Sequence, residues 1–202
     1  MYKKFVKRLL DVVLSLVLLP LTLLVILIFG FLIKIEDKGP VFFSGKRLGK
    51  DKKTFKMYKL RSMKVNSPDV RNKDGSTFNS KDDPRLTKLG KFMRKTSIDE
   101  LPQIINIFIG DMSFVGPRPD LPEALELYVE SEIHKLDVRP GITGYNQAYF
   151  RNAVTQKEKF KNDIYYVDNI SFKLDFQVLL ATIINVSKRK NINIESEIYK
   201  KK

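Results

Sequence analysis

Between Val12 and Ile33 the chain runs for 22 residues without a charge, about the length that crosses a bilayer as a helix. The run is too long for the apolar part of a signal peptide and no small-x-small cleavage site follows it, so retention is expected. Lys3, Lys4, Lys7 and Arg8 precede it, and Lys34, Lys38, Lys46, Arg47 and Lys50 follow. Both ends therefore carry the cytoplasmic charge signature, and the asymmetry that normally orients a crossing helix is absent. Pro20 lies inside the run, where it removes the amide that would bond the Leu16 carbonyl. A helix that enters, bends and returns to the same face answers both observations. A spanning helix with an internal proline is the alternative.

Beyond that segment the pattern shortens and mixes. Gly39-Pro40 turns into Val41-Phe42-Phe43, and Thr54–Met63 has the make-up of a strand. Residues 66–84 are polar, with Pro68, Asp74-Gly75 and Pro84, and read as a long surface loop that includes a turn at Asp82-Asp83. Lys88–Lys95 sets Leu89, Phe92 and Met93 among basic residues, which suits an interfacial helix or a solvated one packed on the core. Ser97 with Glu100 three residues later matches a capping box opening a helix that ends near Gly110. Asp120–Leu136 is a further helical candidate, and Arg139–Gly144 reads as a loop or turn. Lys173–Val186 carries a broad apolar face too short to span, ending in Lys188-Arg189-Lys190 at headgroup level.

Composition narrows the partners. The 202 residues include 37 Lys and Arg against 23 acids, a formal charge of +14. Such an excess favours an anionic membrane face or nucleic acid. There is no cysteine, which excludes disulfides and thiolate metal sites, and a reducing compartment fits. With His134 the only histidine, chemistry built on a His pair or a Ser-His-Asp triad is disfavoured.

Candidate chemistry gathers in Met93–Pro119. Asp99 and Glu100 are adjacent carboxylates, with Arg94 before them and Arg118 after, in a stiff Gly116-Pro117-Arg118-Pro119 turn. Carboxylates hold divalent metals or attack phosphorus, and arginines match phosphate oxygens bidentately. Lys59 and Arg61, two apart on the expected strand, should share a face and form a phosphate-facing pair or a solvated one. Each signal has a plain structural reading too. Glu100 serves the capping box, Asp99 is a helix-start acid favoured by the dipole, and the Pro-Arg-Pro turn simply exposes an arginine.

The order of the motifs is more specific than any one of them. Lys7-Arg8-x-x-Asp11, Gly39–Phe43, Lys59-Leu60-Arg61-Ser62-Met63, Asp83-Pro84-Arg85, Arg94–Gln103, Gly110-Asp111-Met112-Ser113, Gly116–Pro119 and Arg139–Gly144 follow in sequence. The whole resembles the monotopic phosphoglycosyl transferases, bacterial sugar transferases that begin polysaccharide and glycan assembly. The resemblance implies transfer of a phosphosugar from a UDP-sugar to polyprenol (undecaprenyl) phosphate, giving polyprenol diphosphate sugar and UMP. It puts the family nucleophile on Asp99, in a ping-pong route through a covalent phosphosugar, with Glu100 assisting proton removal or orienting Asp99. It implies Mg2+ on Asp99 and the diphosphate, and phosphoryl contacts from Arg94 and Arg118 with Lys59 nearby; Arg61 and Arg151 complete the candidate substrate contacts.

Two departures stand out. The family's re-entrant helix bends at a Ser-Pro pair about ten residues before the exit lysine, where this chain has Leu23-Leu24, with Pro20 about a turn earlier. After Gly144, Tyr145–Arg151 keeps only Gln147 and Arg151 of the family's Trp-Ala-Gln-Val-Asn-Gly-Arg run.

The expected protein is a mixed, helix-rich α/β catalytic domain (38–202) on an N-terminal re-entrant membrane helix (1–37), with interfacial amphipathic helices. Its expected place is the cytoplasmic face of a bacterial inner membrane, with both termini cytoplasmic and anionic lipid as a partner, and no nucleic acid. Two rivals predict different behaviour. Direct displacement at the same site would form no covalent intermediate, and a non-catalytic basic membrane protein binding lipid or nucleic acid would keep its function in Asp99→Asn.

Overall fold

The computed structural model describes residues 1–70, 83–150 and 154–187. A π-helical turn at Tyr2–Val6 leads into α1, Lys7–Asp37, which is helical through Pro20. Asp11, Ser15, Thr22, Gly30 and Ile33 are its buried residues, and Leu18, Ile26 and Phe29 pack partly against two apolar clusters. Spacings of three and four put all eight on one face. The rest of the helix is apolar and exposed, as at Leu16, Val17, Leu24, Leu27 and Phe31.

Both ends of α1 are tied to the same body. At the start, Lys7 Nζ bonds Asp175 at 2.6 Å, and Asp11 accepts the Phe114 amide at 3.0 Å and the Ser113 hydroxyl at 3.1 Å. Arg8 donates to the Ile107 and Phe108 carbonyls at 2.6 and 2.9 Å. At the far end, Glu36 accepts the Lys88 amide at 2.8 Å, and Asp37 takes a two-pronged ion pair from Arg61.

β1 (Phe42–Leu48) and β2 (Thr54–Leu60) form an antiparallel hairpin in which Phe42 faces Leu60 and Leu48 faces Thr54. The outer edge of β2 is closed by one side chain. Asn106 Oδ1 accepts the Tyr58 amide at 3.0 Å and Nδ2 donates to the Lys56 carbonyl at 2.7 Å. It thus supplies the bonds a third strand would give. α2 (Lys88–Thr96) buries Met93 and leaves Phe92 exposed, its ring stacked on Phe29, so one short helix serves both readings of its pattern. Gly90 is required here, since a Cβ would lie 1.9 Å from the Ser62 carbonyl oxygen.

Asn106 belongs to α3 (Gln103–Ile109). β3 (Ser113–Val115) pairs in parallel with β4 (Gly141–Thr143), inside the stretch expected to be a loop. Gly116 and Gly141 allow that approach: a Cβ on Gly141 would sit 2.2 Å from the Gly116 amide nitrogen. The helix expected over 120–136 is instead broken into a 3-10 stretch at Pro122–Leu127, α4 at Glu130–Ile133 and a 3-10 turn at His134–Asp137. α5 (Tyr145–Tyr149), α6 (Gln156–Asp168) and α7 (Phe172–Ser187) follow. The main core gathers Ile107, Met112, Val115, Tyr166, Val167 and Val178 between α3, the β3–β4 pair, α6 and α7. Of the loop expected over 66–84, residues 71–82, with Asp82, lie outside the described residues, as does the Lys188–Lys190 cluster.

Asn106→Ala strips two part-buried backbone groups of their partners and empties a fully buried polar side-chain site. It should lower unfolding free energy by about 2–4 kcal/mol, read as the shift in denaturant midpoint of the detergent-solubilised protein.

Candidate active site

α2 ends at Ser97, whose backbone is left-handed (φ 58°, ψ 18°) and whose amide bonds back to Arg94. That conformation rules out the expected capping box, because a helix N-cap needs extended backbone. Ser97 closes one helix instead of opening the next. Ile98–Glu100 make a single 3-10 turn, and α3 begins only after Pro102. The two carboxylates thus sit on a tight turn between two helices.

Their surroundings differ. Asp99 is 7% exposed, and no side chain donates a hydrogen bond to it among the described residues. Burial and the neighbouring Glu100 charge push its carboxyl up to about 6, against the opposing pull of Lys59 and Arg94. Glu100 accepts Lys59 Nζ at 2.5 Å, with 26% of its side chain exposed. Burial alone would raise it too, but the charges of Lys59, Arg118 and Arg94 outweigh that and bring it down to about 2. One acid of the pair is thereby held ionised and bound, and the other is ready to take up or lose a proton near neutrality.

The cations come from separate elements. Lys59 lies near the end of β2, and Arg94 on α2 is fixed by its Nε–H bond to Ser62 Oγ at 3.0 Å. Arg118 stands exposed on the Gly-Pro-Arg-Pro turn that follows β3, and its charge reaches both Glu100 and Asp120. That turn is fixed at both ends. Gly116 N–H bonds the Thr143 carbonyl and Gly141 N–H bonds the Pro117 carbonyl, both at 2.9 Å. Beyond it, Asp120 binds Lys135 at 2.7 Å, and Lys135, 3% exposed, also binds Asp163 at 2.8 Å.

Of the expected contacts, Lys59, Arg94, Asp99, Glu100 and Arg118 come together. Arg61 does not. β2 ends at Leu60, so the two-residue alternation stops one residue short of Arg61. Its buried guanidinium serves Asp37 and the Pro40 and Met63 carbonyls at the end of α1. Arg151 lies outside the described residues. Several supporting residues had been noted only as parts of motifs. Ser62 holds Arg94, and buried Asp83 pairs with Arg85 at 2.7 Å close enough to Arg94 to feel its charge. The Gln147 carboxamide is buried without a partner among the described residues, beside Gly144. Lys135 and Asp163 gave no signal, because nothing local marks a lysine whose partners are 15 and 28 positions away.

A metal must be met by what these side chains leave free. Among the described residues no three acidic, histidine or cysteine groups form a metal cluster. Mg2+, however, commonly takes one or two carboxylates and completes its shell with water and substrate phosphate. Asp99, buried and with no side-chain donor among the described residues, fits that role, whereas Glu100 is engaged by Lys59.

Residues 2–189 match the family model described as "Bacterial sugar transferase". The chain is 43% identical to an "Uncharacterized sugar transferase EpsL" of Bacillus subtilis, with 89% of this chain and 86% of that protein covered. It is 37% identical to the "UDP-N-acetylgalactosamine-undecaprenyl-phosphate N-acetylgalactosaminephosphotransferase" of Aeromonas hydrophila, over 89% of this chain and 43% of that protein. The "Undecaprenyl-phosphate galactose phosphotransferase" of Salmonella typhimurium is 36% identical, over 92% of this chain and 41% of its own length. The chain thus spans less than half of these last two relatives. A match along nearly the whole chain, with the paired carboxylates and their cations gathered in one place, means that the chain belongs to the bacterial sugar transferase family, the phosphoglycosyl transferases that its motifs resemble.

Proposed function

We propose that this protein transfers a phosphosugar from a UDP-sugar to polyprenol phosphate through a covalent intermediate on Asp99. The observation that carries the reading is the unequal pair: a buried carboxylate with no side-chain donor among the described residues beside one locked to Lys59, ringed by Arg94 and Arg118. Relatives named for undecaprenyl phosphate and for UDP-N-acetylgalactosamine support the two substrates.

Asp99, once ionised, attacks the sugar-side phosphorus; the bond to the bridging oxygen breaks and UMP leaves with both bonding electrons. An oxygen of polyprenol phosphate then attacks the same phosphorus and expels Asp99 as carboxylate, giving polyprenol diphosphate sugar. Arg118 and Arg94 offset the charge gathering on the phosphoryl oxygens, the dominant contribution in phosphoryl transfer. Glu100 is a poor proton acceptor with its carboxyl down to about 2, so it acts by holding Lys59 against the site. Asp99 and the diphosphate would hold Mg2+, which screens charge as one anion approaches another.

The tethering of α1 supports the re-entrant reading. A domain on one face of a bilayer binds both Lys7–Asp11 and Glu36–Asp37, and a helix crossing to the far side would separate those ends. The exposed apolar middle then dips into the cytoplasmic leaflet of a bacterial inner membrane and returns, leaving both termini cytoplasmic. Holding the site at that leaflet confines it with the lipid phosphate and raises their effective concentration.

Four outcomes test this. Without acceptor, the wild type should exchange labelled UMP into UDP-sugar in the presence of Mg2+, and Asp99→Asn should lose this by roughly 10^4-fold or more. Turnover with acceptor but no exchange would favour direct displacement, and Arg118→Ala should cost about 100-fold in kcat. In chelator, the sign for stability is reversed. Because Asp99 is raised when folded, its contribution is complete below its unfolded value of 3.8 and is lost as pH rises through about 6. Asp99→Asn should therefore gain roughly 2–3 kcal/mol on the wild type between pH 4 and pH 7, read from denaturant midpoints. Finally, cysteines introduced singly at Lys4 and at Lys38 of this cysteine-free chain should both resist a membrane-impermeant maleimide in intact cells and react in inside-out vesicles. Labelling of either in intact cells would contradict the re-entrant topology.

A further inference from the structure

The first turns of α1 and the start of α7 do not close on each other. They flank a half-open cavity of about 80 Å³ whose sides are Leu10, Leu14, Phe172, Phe176 and Leu179, with Phe114 at its base. The polar groups beside it are already satisfied. Asp175 accepts the hydroxyls of Tyr2 and Tyr166 and the Lys7 ammonium, each at 2.6 Å, and Asp11 is held by Ser113 and Phe114. What the cavity presents to an occupant is therefore hydrocarbon. Its volume is about half that of an apolar cavity known to admit benzene, about 150 Å³, so it has room for a few methylene groups.

The surroundings carry the opposite character. Lys3 and Lys4 adjoin Tyr2, and Lys173 adjoins Phe172; all three are exposed, and none has a carboxylate partner among the described residues. Lys3 makes only a 3.5 Å contact with the Val167 carbonyl. Leu9 and Phe5 extend the exposed apolar surface next to these lysines, and Leu180 and Ile183 continue it along α7. An apolar slot beside unpaired lysines complements a molecule with a negative head and an alkyl chain.

We propose that this cavity is a binding site for one anionic phospholipid, its phosphate on Lys3, Lys4 and Lys173 and the first methylenes of one acyl chain between α1 and α7. The proposal rests on the membrane reading above and adds to it a defined stoichiometric lipid. Its place is suggestive in the chain as well. Asp11, on the cavity wall, holds Ser113 and Phe114, the strand that runs into the turn bearing Arg118.

The test uses the full chain in a mild detergent, with thermal unfolding followed against added dioctanoyl phosphatidylglycerol, dioctanoyl phosphatidylcholine or inorganic phosphate. Phosphatidylglycerol should raise Tm saturably by about 5 °C or more, and the other two should leave it within about 1 °C. Leu14→Trp and Phe176→Trp fill the slot, and each should abolish the phosphatidylglycerol shift while keeping acceptor-free UMP exchange at the wild-type rate. Lys3→Gln combined with Lys4→Gln and Lys173→Gln should weaken the lipid midpoint at least tenfold. An equal response to phosphatidylcholine, a response to free phosphate alone, or a shift that survives both tryptophan variants would overturn the site. Flotation on phosphatidylcholine–phosphatidylglycerol vesicles separates the two readings. A wild type that floats but shows no Tm shift overturns the lipid site alone, whereas one that fails to float overturns the membrane reading and the site with it.

Discussion

Two adjacent carboxylates withdrawn from water repel each other, and each also resists giving up its hydration. Much of the described structure acts to contain that conflict at Asp99 and Glu100. The strain is divided unequally. Lys59 takes Glu100 at 2.5 Å and settles it as an anion, which leaves Asp99 to carry the unfavourable part as a carboxyl raised to about 6. An enzyme that needs a nucleophile reactive towards phosphorus gains from such a residue, because a carboxylate poorly solvated at rest has less to lose on bonding. Stability is lowered by the same arrangement that prepares the group for reaction.

Precision in this cluster comes from elements that each touch two things. β2 carries Lys59 to Glu100, and Arg61, just past the end of β2, is bound to the end of the apolar helix α1. α3 follows the carboxylate turn directly, and its last carbonyls are held by Arg8 of α1, while Arg139 from the approach to β4 takes Gly110. Cations at a helix C-terminus are favourable for the dipole, and here one of them belongs to the anchor. The Arg118 turn rests on β3, which Asp11 of the same anchor bonds at Ser113 and Phe114. The apolar helix is therefore part of the frame of the site.

The sequence conveyed the apolar segment, the strand beginning at Thr54, the helix at Lys88 and five of the seven candidate residues that the fold gathers, since each announces itself by local pattern or by motif, whereas the pairing of that strand with β1 came only from the structure. It misled where one residue had two possible local fates. Ser97 with Glu100 has the spacing of a capping box, but the left-handed backbone at Ser97 ends α2 and frees Glu100 for Lys59. Arg61 follows Lys59 with strand periodicity, yet the strand stops at Leu60 and the side chain turns to Asp37. Over 120–136 the apolar spacing suits a helix, but the backbone is extended at Tyr128 and Val129, which divides it into short turns, and Lys135 reaches inward to Asp120 and Asp163. These outcomes are decided by partners distant in sequence, which no local window contains.

The ties that hold α1 at its two ends lie far apart in the order of synthesis. Arg61 and Lys88, which take the Glu36–Asp37 end, follow the helix by a few tens of residues, whereas Asp175, which takes Tyr2 and Lys7, lies near the end of the described chain. A chain emerging from the ribosome thus presents this apolar segment before the elements that tie its two ends. It can fasten the exit end well before the entry end has a partner. Until α7 is made, the first turns of α1 are held by Ser113, Phe114, the carbonyls of α3 and, once α6 is present, a 3.5 Å contact of Lys3 with the Val167 carbonyl. Final closure of α1 on the domain is consequently a late event, and a ribosome stalled short of residue 172 would carry an apolar helix fastened at one end and only half secured at the other.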